Sequence, residues 1–305
     1  MRIPIILAAV LACLVSLPSL ARPNLEEPMD SHILSQSSLP YGFSDFHLRS
    51  QDGKRGYHIW IATPHRPVPA SGYPSLFLLD GNAALGALSE DNLKQLAEGS
   101  SPVLVIIGHD TPLRFDPDTR SYDFTLPTQA LGPTHDSLTG SPTGGADHFL
   151  DWLDLTLAPE LAKRVMLDPN HKAIWGHSYG GLLVLHALLT RPGNFRSYYA
   201  ASPSLWWGNG QLLQEEAGFD KRLADTSVCL FVLRGKDEPA YPSRLPAESA
   251  SRVTTSTAEA LTMRLVQTPG VSGQYREFEG LGHGAMFNRS LSWTLTHYSA
   301  GNACN

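Results

Sequence analysis

The 305-residue chain is short of several things, and each shortage closes a possibility. Charged residues make up only 17% and hydrophobic ones 42%, which excludes a disordered chain, since disorder needs low hydrophobicity and high net charge. Basic residues are in deficit: 23 Lys and Arg against 29 Asp and Glu leave a charge of −6, so the basic excess of a nucleic-acid binder is missing. Three cysteines are too few for a disulfide-dense scaffold, and a chain of this length does not need one, because about 70–75% of its unfolded surface can be buried. No period of about 20–50 residues recurs, which excludes solenoids and propellers. None of the 12 histidines falls in an H-x-H or H-E-x-x-H pattern, so neither a metal centre nor a cofactor is expected.

Long apolar runs are scarce too. The charge-free stretch Ile3–Leu17 follows Arg2, is too short to span a bilayer comfortably, and meets Pro18. Small residues at Ser19 and Ala21 mark a cut after Ala21, so residues 1–21 read as a secretory signal peptide and residues 22–305 as a single exported domain. Val10-Leu11-Ala12-Cys13 is only loosely like a lipoprotein cleavage site, with too short an apolar region before it. An exported chain is free to pair Cys229 with Cys304. The reading preferred here leaves them apart: Cys229 as a buried small hydrophobe within Val228–Leu233, and the penultimate Cys304 as frayed.

What is present is a repeating order of short apolar runs. Residues 58–62, 75–79, 102–107, 172–176, 197–201, 228–233 and 274–278 read as strands, several of them apolar on both faces, as in a buried parallel sheet. Helical patterns over 146–165, 179–190, 247–267 and 285–297 alternate with the later strands. That alternation predicts an α/β fold with helices on both faces of a mostly parallel sheet. Residues 22–40 read as a loose lead-in. Residues 108–145, rich in Pro, Gly, Asp, Thr and Ser, read as a long functional loop at the end of a strand.

Gly176-His177-Ser178-Tyr179-Gly180 fits the G-x-S-x-G nucleophile elbow. The motif alone is weak evidence. Its setting, a strand running into it and an apolar helix leaving it, is the one the chemistry requires. A serine hydroxyl is a poor nucleophile without a base in reach. His283, in Gly282-His283-Gly284 after the last strand, stands where the base belongs in the chain order Ser, acid, His. His177 is expected to point away and His186 to be a core histidine. The acid belongs after strand 228–233, where Asp237 and Glu238 lie side by side; Asp237 is slightly preferred for its shorter side chain, and Glu238 stays open. For the oxyanion, the backbone N–H of Tyr179 and that of Asn82, in Leu79-Asp80-Gly81-Asn82-Ala83, are the expected donors, with Asp80 tying the loop together.

These segments, with Arg120-Ser121-Tyr122-Asp123-Phe124-Thr125 and Ser202-Pro203-Ser204-Leu205-Trp206-Trp207, resemble the α/β-hydrolase esterases of siderophores, the ferric-enterobactin hydrolases, and most of all their periplasmic members in pseudomonads. The likeness runs over roughly residues 40–300. It implies hydrolysis of the tri-serine lactone of enterobactin or its ferric complex, with Ser178 as nucleophile, His283 as base and Arg120 beside the substrate. A ferric tris-catecholate is anionic, and an arginine offers it several charge-assisted donors; the competing role for Arg120 is pairing with Asp116, Asp118 or Asp123. Trp206 and Trp207 are candidates for a flat wall against catechol rings, with at least one of them expected in the core. Some relatives manage with a Ser–His pair alone. Contact with a siderophore transporter is a further expectation. A general carboxylesterase, thioesterase or acyltransferase, and a non-catalytic siderophore carrier, are the competing functions.

Overall fold

The computed structural model describes residues 26–127 and 135–301. The expected leader, and Cys304, lie outside these residues. Eight strands, β1 (Tyr41–Arg49), β2 (Gly56–Pro64), β3 (Tyr73–Leu78), β4 (Val103–His109), β5 (Leu167–His177), β6 (Ser197–Ala201), β7 (Val228–Gly235) and β8 (Val271–Phe278), form one sheet in the order β1-β2-β4-β3-β5-β6-β7-β8. β1–β2 and β2–β4 pair antiparallel and every other pair is parallel.

Side-chain alternation along the central strands explains why the sheet is covered on both faces. Val103, Val105 and Ile107 of β4, and Val228, Leu230 and Val232 of β7, enter one apolar cluster. Leu104 and Ile106, with Cys229, Phe231 and Leu233, enter the other. The first cluster is closed by α3 (Pro117–Phe124), α4 (Ala146–Trp152), α5 (Ala158–Ala162), α6 (Tyr179–Thr190), α7 (Phe219–Leu223) and α8 (Thr257–Leu265). The second is closed by α1 (Gly81–Ala87), α2 (Glu90–Glu98) and α9 (His283–Ser299). Burying each Leu- or Val-sized side chain stabilises the fold by about 1.5–3 kcal/mol, so hydrophobic layering carries this architecture. It is the α/β-hydrolase arrangement expected.

Several sequence expectations need correction. β1 went unread because it is an edge strand with one face half exposed, and its Ser44, Asp45 and His47 interrupt the apolar pattern. Helices α1 and α2 are too short to show much periodicity. Segment 108–145 is not a bare loop: it contains α3, started by Pro117 and capped by the Asp116 carboxylate, which accepts from the Thr119 N–H at 3.0 Å. The lead-in is anchored as well, with Ile33 buried and Pro28 bridged to Leu113. The helix expected over 146–165 is interrupted by a π-helical stretch at Leu153–Leu157, and that over 247–267 reduces to a 3-10 turn at Ala247–Ala250 and α8. Cys229 is buried as expected, but it is disulfide-bonded rather than free. An apolar run reports burial and says nothing about whether a thiol within it is bonded.

Candidate active site

β5 ends at His177 and α6 begins at Tyr179, leaving Ser178 alone at the bend with φ 62° and ψ −116°. A non-glycine residue there is strained by roughly 1–3 kcal/mol, held in place by its surroundings. The surroundings are visible. A Cβ on Gly176 would meet the Gly180 backbone at 2.5 Å, and one on Gly181 would meet the Ala201 carbonyl at 2.6 Å. Those two glycines let strand, bend and helix close on one another. Gly180, by contrast, has ordinary room. The Ser178 N–H donates to the Ala201 carbonyl at 2.9 Å, tying the bend to the end of β6.

The side chains of three different strand ends converge here. Ser178 Oγ lies 3.0 Å from His283 Nε2, and His283 Nδ1 lies 3.0 Å from Glu238 Oε2. Because a carboxylate only accepts, Nδ1 carries a proton and Nε2 is free to take one from the serine. The Glu238 carboxylate is buried, and its other oxygen accepts from Ser202 Oγ at 2.6 Å and from the Gly235 N–H at 2.7 Å. Burial alone would raise its pKa, but the bonds from His283, Ser202 and Gly235 outweigh burial and hold it below the ordinary glutamate value. It therefore stays ionised beside the imidazole. Asp237, the carboxylate preferred from the sequence, is exposed, and its backbone N–H donates to the Leu281 carbonyl. The turn after β7 folds Glu238 back over Gly235 and sends Asp237 outward, a facing that sequence spacing does not encode.

His283 is the first residue of α9 rather than part of a free loop, and Gly282 and Gly284 beside it face open space. His177 does not point away from the site. Its ring is buried 4.7 Å from that of His283, and its Nε2 donates to the His283 carbonyl at 2.9 Å. Burial, then the neighbouring His283, keep His177 well below the ordinary histidine range, so it is a neutral donor. His186 is a core histidine as expected: its two nitrogens face Glu215 at 2.8 Å and Asp147 at 3.2 Å. Burial pulls its pKa down, but those two carboxylates push it up to about 9.

Around this core, Asp80 adopts φ 51° and ψ 48° just before α1. Asn82 therefore stands in the first turn of a helix, where backbone N–H groups have no intrahelical acceptor, and not in a loop. Its side chain pins the segment after β4, accepting from the His109 N–H at 2.8 Å and donating to the Thr111 and Leu113 carbonyls at 2.9 and 3.1 Å. Arg120 pairs with none of Asp116, Asp118 and Asp123. Its Nε and Nη2 make a two-pronged contact with Asp80, both at 2.9 Å, which also explains how Asp80 ties the bend together. The guanidinium sits 5.5 Å from the Tyr179 ring, whose hydroxyl donates to buried Asp136. Trp207 is only 3% exposed, and Trp206 is buried against Tyr179, so both belong to the apolar core and the expected catechol wall at Trp207 is not on the surface. Two contributors went unnoticed. Ser202, at φ 43°, holds the acid, and Ser204 Oγ stands 3.2 Å from Ser178 Oγ. Their signal was Ser202-Pro203-Ser204 directly after a strand, at the same sheet edge as the elbow.

A strained serine at a strand–helix bend, an imidazole on it and a buried carboxylate behind that imidazole define a serine ester hydrolase. The relatives agree. A family model described as a putative esterase matches residues 50–298. The apo-salmochelin esterase of Escherichia coli O6:H1 is 35% identical over 93% of this chain and 87% of its own length. The ferri-bacillibactin esterase BesA of Bacillus subtilis is 31% identical over 77% of this chain and 82% of its own length. Among solved structures, the enterobactin hydrolase IroE in complex with DFP superposes with a TM-score of 0.67 at 34% identity, covering 88% of this chain and 99% of that one. The chain belongs to this esterase family.

Proposed function

We propose that this chain is a siderophore esterase that opens the tri-serine lactone of enterobactin, iron-free or ferric, by acyl transfer through Ser178. The observation that carries the reading is the continuous relay Ser178–His283–Glu238 at 3.0 Å per step, on a chain whose relatives carry siderophore names.

The chemistry follows from the geometry. His283 Nε2 takes the proton of Ser178 Oγ as the oxygen attacks a lactone carbonyl. Negative charge gathers on that carbonyl oxygen, which the backbone N–H groups of Tyr179 and Asn82, each in the first turn of a helix, stabilise. The C–O bond to the departing serine unit breaks, and His283 returns the proton to its oxygen. Water, deprotonated by the same nitrogen, then clears the acyl group and restores Ser178. Glu238 holds the imidazole's tautomer and stabilises its charged form throughout. Arg120 spends Nε and Nη2 on Asp80, and its Nη1 is the donor offered to an anionic catecholate. As part of the same proposal, the leader-like sequence of residues 1–21 supports a periplasmic reaction, and a siderophore transporter is the partner expected there; cell fractionation tests the location.

Incubation with ferric enterobactin, with mass spectrometry of linear dihydroxybenzoyl-serine products, tests the activity. Cleavage is expected, and Ser178→Ala should lower turnover by on the order of 10⁶. Faster turnover of a simple aryl ester than of enterobactin would point to a general carboxylesterase instead. Tight siderophore binding without cleavage would point to a carrier.

A further inference from the structure

We propose that the outer edge of the sheet, far from the serine, carries a divalent transition-metal site built from His47, His58 and Asp45, of the class that takes Zn²⁺. No sequence motif announces it, because its ligands come from two strands. β1 and β2 pair in a register that sets His47 directly opposite His58, and Asp45, two residues before His47, shares their face.

Among the described residues, these three are a group whose ligand atoms all lie within 4.8 Å of one another. The imidazoles stack with centroids 4.0 Å apart, and His58 Nε2 already meets Asp45 Oδ2 at 2.7 Å. Tetrahedral Zn²⁺ with bonds of about 2.0–2.1 Å holds its ligand atoms about 3.4 Å apart. The donors would thus have to draw in by at most about 1.4 Å, within reach of side-chain rotation alone. Rotation is open at two of the three ligands, since the His47 and Asp45 side chains are each 53% exposed, while His58, stacked on the Trp60 ring at 3.9 Å, is the held one they close on.

Two imidazoles and a carboxylate suit Zn²⁺, Cu²⁺ or Ni²⁺ and not a hard cation that prefers all-oxygen ligands. A second carboxylate is in place to support them: Asp110 Oδ1 stands 3.4 Å from His47 Nδ1, the position from which an outer carboxylate orients a metal-bound imidazole. Water completes the fourth position. β2, β4 and β3 lie between β1 and β5, whose end carries Ser178, so this metal takes no part in ester cleavage. It clasps the edge strand β1 to its neighbour.

Equilibrium dialysis of chelator-stripped, tag-free protein against Zn²⁺ tests the site, with metal counted by mass spectrometry. One Zn²⁺ per chain is expected, with affinity lowered at least tenfold by His47→Ala and by His58→Ala, less by Asp110→Asn, and with esterase turnover unchanged in all three. Zn²⁺ should also raise the melting temperature of the parent protein but not of His47→Ala, which truncates a half-exposed side chain and keeps the fold. Absence of stoichiometric binding, equal affinity in the His47→Ala and His58→Ala proteins, or loss of binding on His283→Ala instead would each overturn the proposal.

Discussion

Two histidines of this molecule, His283 and His186, each stand 2.8–3.2 Å from a carboxylate, and on the proposed reading only His283 serves catalysis. His283 spends one nitrogen on Glu238 and offers the other to a serine, with its side chain 44% exposed. His186 spends both nitrogens on carboxylates, is buried, and is held charged up to about pH 9. A histidine–carboxylate contact therefore does not identify an active site by itself. What distinguishes the two is a free nitrogen facing a strained nucleophile at the open end of the sheet. His186 is an ion-paired brace between α6, α4 and the segment at Glu215.

Breaking the catalytic side should give the larger effects. His283→Ala removes the proposed proton acceptor and should lower kcat by on the order of 10⁶, read with a chromogenic ester. Glu238→Gln keeps the shape but withdraws the charge behind the imidazole, with an expected loss of about 10⁴ in kcat. The neighbouring Asp237→Asn should stay within about threefold of the parent; a reversal of these two would reassign the acid.

The structural histidine should answer to pH and not to substrate. Its folded-state pKa stands above the ordinary value, so its stabilisation is complete below about pH 6.5 and drains away as pH rises through about 9. Roughly 2–3 kcal/mol is at stake, trimmed by the half-exposed Asp147. Melting temperatures should fall from pH 6.5 to 9.5 in the parent protein, and His186→Leu should flatten that decline while esterase kcat stays unchanged. His177 bridges the comparison, being buried like His186 but bonded to the backbone of His283. As a positioning residue, His177→Phe should lower kcat about tenfold at constant KM; a change in KM alone would refute that role.

How much of this could be read from the chain depends on how local the cause is. The elbow was legible because strand, serine and helix are contiguous. The central strands were legible because burial on both faces writes unbroken apolar runs. Glu238 over Asp237 was not, since a turn's facing follows from the Gly235, Ser202 and Leu281 contacts that only the fold assembles. The ion-pair partner of Arg120 is hidden for the same reason: Asp80 is 40 residues away in sequence, while the acids that compete for it in the sequence, Asp116, Asp118 and Asp123, are its chain neighbours. The pairing of His47 with His58 is likewise an accident of register that no linear motif records. Trp207 departs in the opposite direction: its segment resembles one expected to face catechol rings, and the fold takes the core alternative by burying it.

The claim on which the account rests is that Ser178 is a nucleophile activated by His283 and Glu238. Treating the protein with a fluorophosphonate and mapping the adduct by peptide mass spectrometry tests it most directly. The account predicts one adduct, on Ser178, formed far more slowly in His283→Ala and in Glu238→Gln. Labelling of a different residue, or undiminished labelling of Ser178 in the His283→Ala protein, would contradict it.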